Sequence, residues 1–165
     1  MKDILHLDFE TFSECDIKDC GAAVYAQHPT TEVLCMSFVF NDDRTVVNWR
    51  PRVLGCYDDF PSRVKNHLAN GGIYTAHSAP FEWSILKWVL NIETDPKQIR
   101  DTQFQAAVNA LPQALGNCAA AIESHPKCET GKRIMLQLCK PKKASKIDPS
   151  IRYLPDTHPD KYTAL

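Results

Sequence analysis

With 165 residues and a formal net charge of −1, the chain is long enough for one domain with a real core, and it is not a broadly basic protein; any nucleic-acid contact must be local. Hydrophobic residues make up 44% and charged residues 24%, the balance of a soluble globular protein, and no apolar run approaches the ~20 residues needed to span a bilayer. Seven cysteines without a C-x-x-C pair, and an N-terminus without a signal-peptide pattern, point to free thiols in a reducing, cytoplasmic compartment.

Residues 4–11, Ile-Leu-His-Leu-Asp-Phe-Glu-Thr, are short, apolar and nearly alternating, which predicts a strand. Asp8 and Glu10 then share one face and Phe9 points to the core on the other. Residues 12–19 read as a loop, and residues 21–27 as helical turns ended by His28-Pro29. The most apolar stretch, 33–40, predicts a central strand. Asn41-Asp42-Asp43 is turn chemistry, and 45–49 returns as a hairpin partner, giving three adjacent antiparallel strands.

Residues 58–70 predict a helix capped by Asp59, with Pro61 in its first turn, Val64 and Leu68 as its apolar stripe, and Gly71-Gly72 at its end. A short buried strand follows at 73–77. Ser78 is the expected cap of a helix that contains Pro80 and runs to Val89; Trp83 and Trp88 on it read as core. A strand at 98–100 leads to Asp101, the expected N-cap of a helix at 102–110 that Pro112 cuts off. Two further helices are predicted at 114–122 and 131–138. From Pro141 onward, Pro149, Pro155 and Pro159 argue against regular structure, while Lys140, Lys142, Lys143 and Lys146 make the segment basic. The order of elements is that of an α/β domain with a mixed sheet.

Three places carry chemistry. Asp8 and Glu10 repel each other unless something positive sits between them, and hard divalent cations take carboxylate oxygens; an acidic strand end fraying into solvent explains them too. Glu82, in Ala76-His77-Ser78-Ala79-Pro80-Phe81-Glu82, sits where a strand passes into a helix, a favoured place for sites in open α/β sheets, and a place where the helix dipole welcomes a carboxylate in any case. Asp101 is explained by capping alone, or serves as an acid that holds a ligand or strand end in place. The spacings of Cys118, His125, Cys128 and Cys139 fit no standard zinc site. His6 and His77 flank the acids and read more simply as satisfied core histidines than as ligands. The lysines from 140 to 146 are either a solvated tail or the best candidate for a phosphate-contacting patch.

Asp8-Phe9-Glu10-Thr11, the Ala76 to Glu82 stretch and Asp101-Thr102, in this order, resemble the proofreading 3′-to-5′ exonuclease domain of family A DNA polymerases in its bacteriophage-type version. The run from Tyr25-Ala26-Gln27-His28-Pro29 to Leu34-Cys35-Met36, and Gly131-Lys132-Arg133-Ile134-Met135 leading to Lys140-Pro141, are similar to the same domain. The resemblance covers nearly the whole chain. It implies a ribonuclease H-like fold of the DEDD superfamily, three antiparallel strands plus two further strands flanked by helices. The exonuclease-like part would span 1–140, with 141–165 as an irregular Pro/Lys-rich segment of the same domain. It implies a metal-dependent 3′-5′ exonuclease acting on single-stranded 3′ DNA ends, with two Mg²⁺ or Mn²⁺ ions about 3.5–4 Å apart, and a polymerase domain C-terminal to this chain.

By motif match Asp8 would bridge both ions, Glu10 would bind one, and Glu82 would act on the second directly or through water, with Asp101 behind them. Thr11 and Phe12 would line the path of the terminal nucleotide, and His77, Ser78, Lys140, Lys142 and Lys143 are further expected nucleic-acid contacts. Ser78 stands where the family commonly has Asn. The family's last motif, Tyr-x-x-x-Asp, supplies a fourth acid and a water-orienting Tyr; here Tyr162 has no acid four residues on. The chain therefore reads as a piece of a longer polymerase or as a natural short protein, its own activity expected to be weak. The alternative is a catalytically inactive exonuclease-like module that binds nucleic acid or a protein partner.

Overall fold

The computed structural model describes residues 3–125, 128–146 and 148–163. Its first strand, β1 (Ile4–Phe12), alternates as its sequence requires: Leu5, Leu7 and Phe9 are buried, while His6, Asp8 and Glu10 occupy the other face. Beyond Glu10 the alternation breaks. A β-bulge shifts the register from Glu10 opposite Cys35 to Thr11 opposite Val33, and Thr11 and Phe12 are both buried.

Helix α1 (Ile17–Gln27) begins inside the predicted loop. Asp16 caps it, accepting from the Lys18 amide at 3.0 Å, and Gly21, at φ 75°, interrupts it. It ends before His28, as the following Pro29 requires. β2 (Glu32–Phe40) and β3 (Val47–Trp49) form the expected hairpin around a turn closed by Asp43 N–H on the Phe40 carbonyl at 2.9 Å. α2 (Ser62–Ala69) buries Val64 and Leu68, but Asp59 does not cap it. Its side chain accepts from the Arg52 amide, its carbonyl accepts the Trp49 indole, and Pro61 takes the cap position.

β4 (Ile73–Ala76) stops one residue short of His77. α3 (Pro80–Trp88) is likewise not capped by the Ser78 hydroxyl: Ser78 sits at φ 69° in the connecting turn, and Ala79 takes the cap position. On α3, Trp83 is half-buried and Trp88 is exposed, with the Lys87 ammonium against both rings, so Trp88 is surface rather than core. A 3₁₀ turn at Pro96–Gln98 leads to β5 (Ile99–Asp101). The buried Gln98 amide donates to the Leu68 and Gly72 carbonyls, tying α2 to this edge. Asp101 caps α4 (Thr102–Val108) as expected, and α5 (Leu115–Ala121) and α6 (Glu129–Leu138) follow close to their predicted places.

The strands lie in the order β3-β2-β1-β4-β5. The first three pair antiparallel, and β1, β4 and β5 run parallel. This mixed five-stranded sheet flanked by helices is an α/β fold consistent with a ribonuclease H-like domain. The segment after Pro141 is more ordered than its prolines suggested. α7 (Pro159–Thr163) starts on Pro159, where a missing N–H costs nothing. It buries Tyr162 in a second small core with Phe12, Leu34 and Leu138. Arg152 pins the same segment to the body, bonding Glu32 at 2.9 Å and lying over the Phe12 ring at 4.1 Å. Ala164 and Leu165, the last two residues of the predicted C-terminal run, lie outside the described residues. Among the described residues no helix is long and apolar enough to cross a membrane.

Candidate active site

β1 and β4 run parallel, and both end at the same edge of the sheet. There β1 presents Asp8 and Glu10, and the β4–α3 connection brings in Glu82 from the first turn of α3. The three carboxylates line one cleft of about 540 Å³. Thr11, His77, Ser78 and Lys140, all expected at a site from sequence, line it as well.

Glu82 is the anomalous member. It is 2% exposed, and its Oε2 is buried without a hydrogen-bond partner. Burial pushes its carboxyl up to about 8, and the charges of Asp8, Asp101 and Glu10 push the same way; its own backbone N–H works against them. Glu82 is therefore largely protonated at neutral pH. Exposed Asp8 and half-buried Glu10 are better solvated.

Asp101 lies behind the cleft. Its Oδ1 accepts from the Gln103 and Phe104 amides at 2.8 and 3.4 Å, and also from the Ser78 amide at 3.1 Å. One carboxylate thus caps α4 and latches the strained β4–α3 turn that carries Glu82. His77 joins the same junction. Its Nε2 donates to the Gln113 carbonyl at 2.8 Å, and its Nδ1 lies 3.1 Å from the Thr102 hydroxyl. Both ring nitrogens are engaged, so His77 offers a nucleic acid only its ring surface. His6 is held the same way, between Asn41 and Thr75.

Two expectations for the nucleotide path change. Phe12 is 1% exposed, turned by the bulge into the second core beneath Arg152, and it does not line the cleft. Thr11 does, with its hydroxyl 2.8 Å from the Tyr25 hydroxyl. The basic run divides as well. Lys140 stands at the cleft, paired with Asp16 at 3.2 Å across its rim. Lys142 is drawn into the tail by Asp148 and the Ser150 carbonyl, and exposed Lys143 is outside the cleft lining.

Sequence reasoning missed the opposite wall. Met135, Leu136 and Cys139 of the α6 end face the acids. The Cys139 thiol donates to Glu10 Oε2 at 3.6 Å, and Cys35 is Glu10's register partner on β2. Burial, then the charge of Glu10, holds the Cys139 thiol well above its usual range and pushes Cys35 up to about 12, so both remain neutral S–H groups. Nothing in a lone Cys before Lys140-Pro141 signals a contact with a strand 129 residues away.

The donor set of three carboxylates suits a hard divalent cation, and the buried unpartnered oxygen of Glu82 is an acceptor for which the fold offers no donor. Among the described residues no three His, Cys, Asp or Glu side chains already converge on one point as a metal cage, either here or around Cys118, His125, Cys128 and Cys139. The three acids share a cleft rather than a finished coordination sphere.

No protein-family model matches the chain. Over 163 residues it is 31% identical to a DNA polymerase of Bacillus phage SP02, an alignment that takes in 96% of this chain and 24% of that polymerase. The chain thus spans about a quarter of the length of the polymerase it resembles.

Proposed function

We propose that this chain is a proofreading-type 3′-5′ exonuclease domain. It would hydrolyse phosphodiester bonds at single-stranded 3′ DNA ends with Mg²⁺ or Mn²⁺. The observation that carries the reading is the meeting of Asp8, Glu10 and Glu82, from two separate stretches of sequence, in one cleft at the sheet edge. The similarity to a phage DNA polymerase supports the substrate class.

Asp8 and Glu10 would hold the cation pair, and Glu82 would join them on giving up its proton. When bound, such ions supply Lewis acidity toward the phosphate and its attacking water. Asp101 keeps the turn before Glu82 in place, which is positioning and not chemistry. The Thr11–Tyr25 hydroxyl pair offers polar contacts beside the acids, while Phe81, Met135 and Leu136 give the cleft an apolar side on which a nucleobase can lie. Lys140 offers a phosphate contact once Asp16 yields it.

The test is digestion of a single-stranded DNA labelled at its 5′ end, so that shortening from the 3′ end gives a ladder. Slow, Mn²⁺- or Mg²⁺-dependent shortening is expected, with a loss of at least about a thousandfold in Asp8→Ala. DNA binding without any shortening would instead favour the inactive binding module. Digestion that survives in Asp8→Ala would overturn the assignment of the site.

A further inference from the structure

A pair of thiols on the cleft wall has no part in the hydrolytic reading. Cys15 lies on the connection from β1 to α1, lining the cleft, and Cys20 lies in the opening turn of α1. Their Sγ atoms are in direct contact at 2.7 Å. The backbone explains the meeting. The Asp19 and Cys20 amides both bond the Asp16 carbonyl, at 3.0 and 3.2 Å, so the turn after the Asp16 cap folds residue 20 back against residue 15. Gly21 then breaks the helix at φ 75°, and this first turn is a separate short unit. Both thiols are free and half-buried, within reach of a small molecule.

We propose that Cys15 and Cys20 form a reversible dithiol–disulfide site on the cleft wall, oxidised by a small organic disulfide. The Cys20 thiolate attacks one sulfur of the reagent R–S–S–R, forming a mixed disulfide and releasing R–S⁻. Cys15 gives its proton to solvent and attacks the Cys20 sulfur, closing the Cys15–Cys20 bond and releasing the second R–S⁻. Two cysteine thiols are oxidised, and one external disulfide is reduced to two thiols. The Cys15 thiol is pushed up to about 11, first by its hydrogen bond with Cys20, then by burial and by the charges nearby. In the reduced pair Cys15 therefore holds its proton, and exchange as a whole quickens as pH rises because the thiolate is the nucleophile. The bond staples the segment whose Asp16 holds Lys140 across the rim, so oxidation stiffens one wall of the cleft. The inference stands on the thiol geometry and does not depend on the proposed nuclease activity.

The test treats the full chain with oxidised glutathione at pH 8.5, alkylates the remaining thiols with iodoacetamide, and digests with trypsin without reduction. Lys18 lies between the two cysteines, so trypsin separates them unless they are bonded. Expected are a linked pair of peptides carrying Cys15 and Cys20, five alkylated cysteines in place of seven, slower formation at pH 6.5, and a Tm higher by ~5 °C than in the reduced chain. Cys15→Ser should fold with the Tm of the reduced chain and retain a glutathione adduct on Cys20. Alkylation of all seven cysteines after oxidation, or a cross-link from either thiol to a different cysteine, would overturn the proposal.

Discussion

Two strand-to-helix junctions stand side by side at this sheet edge, and each carries an acid that a helix terminus welcomes. At the β5–α4 junction Asp101 accepts three backbone N–H groups. At the β4–α3 junction Glu82 is more deeply buried, yet one of its oxygens has no partner at all. In sequence the two look alike. In the fold, one acid holds the structure together, and the other is held in place by it at a cost. A satisfied carboxylate needs no further explanation; a buried carboxyl lacking a partner is retained where something else offsets its desolvation.

The sharpest way to break this contrast is pH. The folded pKa of Glu82, about 8, is raised above its ordinary 4.5. A raised pKa contributes stability that is fully present below 4.5 and is lost as pH climbs to about 8. Metal-free protein should therefore lose up to ~5 kcal/mol between pH 4.5 and 8 from this group, an upper bound that structural relaxation reduces. Denaturant unfolding at pH 5 and pH 8 measures the difference. Glu82→Gln should flatten most of it, and an unchanged slope in that variant would place the titration elsewhere.

Next in size is Asp101→Ala, which removes a helix cap and the latch on Ser78. A loss of about 2–3 kcal/mol is expected at pH 8, where Glu82→Gln should be neutral or stabilising. Equal destabilisation by the two substitutions would erase the distinction between the junctions. The smallest effect belongs to the lysines. The Lys140–Asp16 pair is about half exposed, so solvent screens it and it adds little to stability. Lys140→Ala should leave stability nearly unchanged and lower the salt slope of single-strand binding by about 1. Lys142→Ala, which removes an ion pair internal to the tail, should leave that slope alone; a matching drop would return Lys142 to the nucleic-acid surface.

The order and type of the strands were legible because β1, β2 and β4 carry strong apolar patterns between clear turn signals, and the acids Asp8 and Glu10 follow from period-two alternation alone. Phe12, expected from the resemblance to line the nucleotide path, is turned into the second core by a bulge that nothing in Thr11-Phe12 announces. Ser78 and Asp59 were read as caps because their residue types suit capping. The backbone instead puts Ser78 at positive φ and uses Asp59 to hold the Arg52 loop. Lys142 and Lys143 looked like one surface with Lys140 until Asp148 and the Pro159 helix showed that the tail folds on itself. The burial of Glu82 depends on α3 packing against α1 and β1, a long-range event with no local signature.

The proposed cation site makes one demand that can be read directly. Binding of a divalent cation by Asp8, Glu10 and Glu82 requires Glu82 to give up its proton. Calorimetric titration of the chain with Mn²⁺ at pH 7, in two buffers of different ionisation enthalpy, counts that proton. The prediction is net proton release on binding, falling toward zero in Glu82→Gln, with binding itself lost in Asp8→Ala. Mn²⁺ binding with no proton release, or no detectable binding by the unaltered chain, would contradict it.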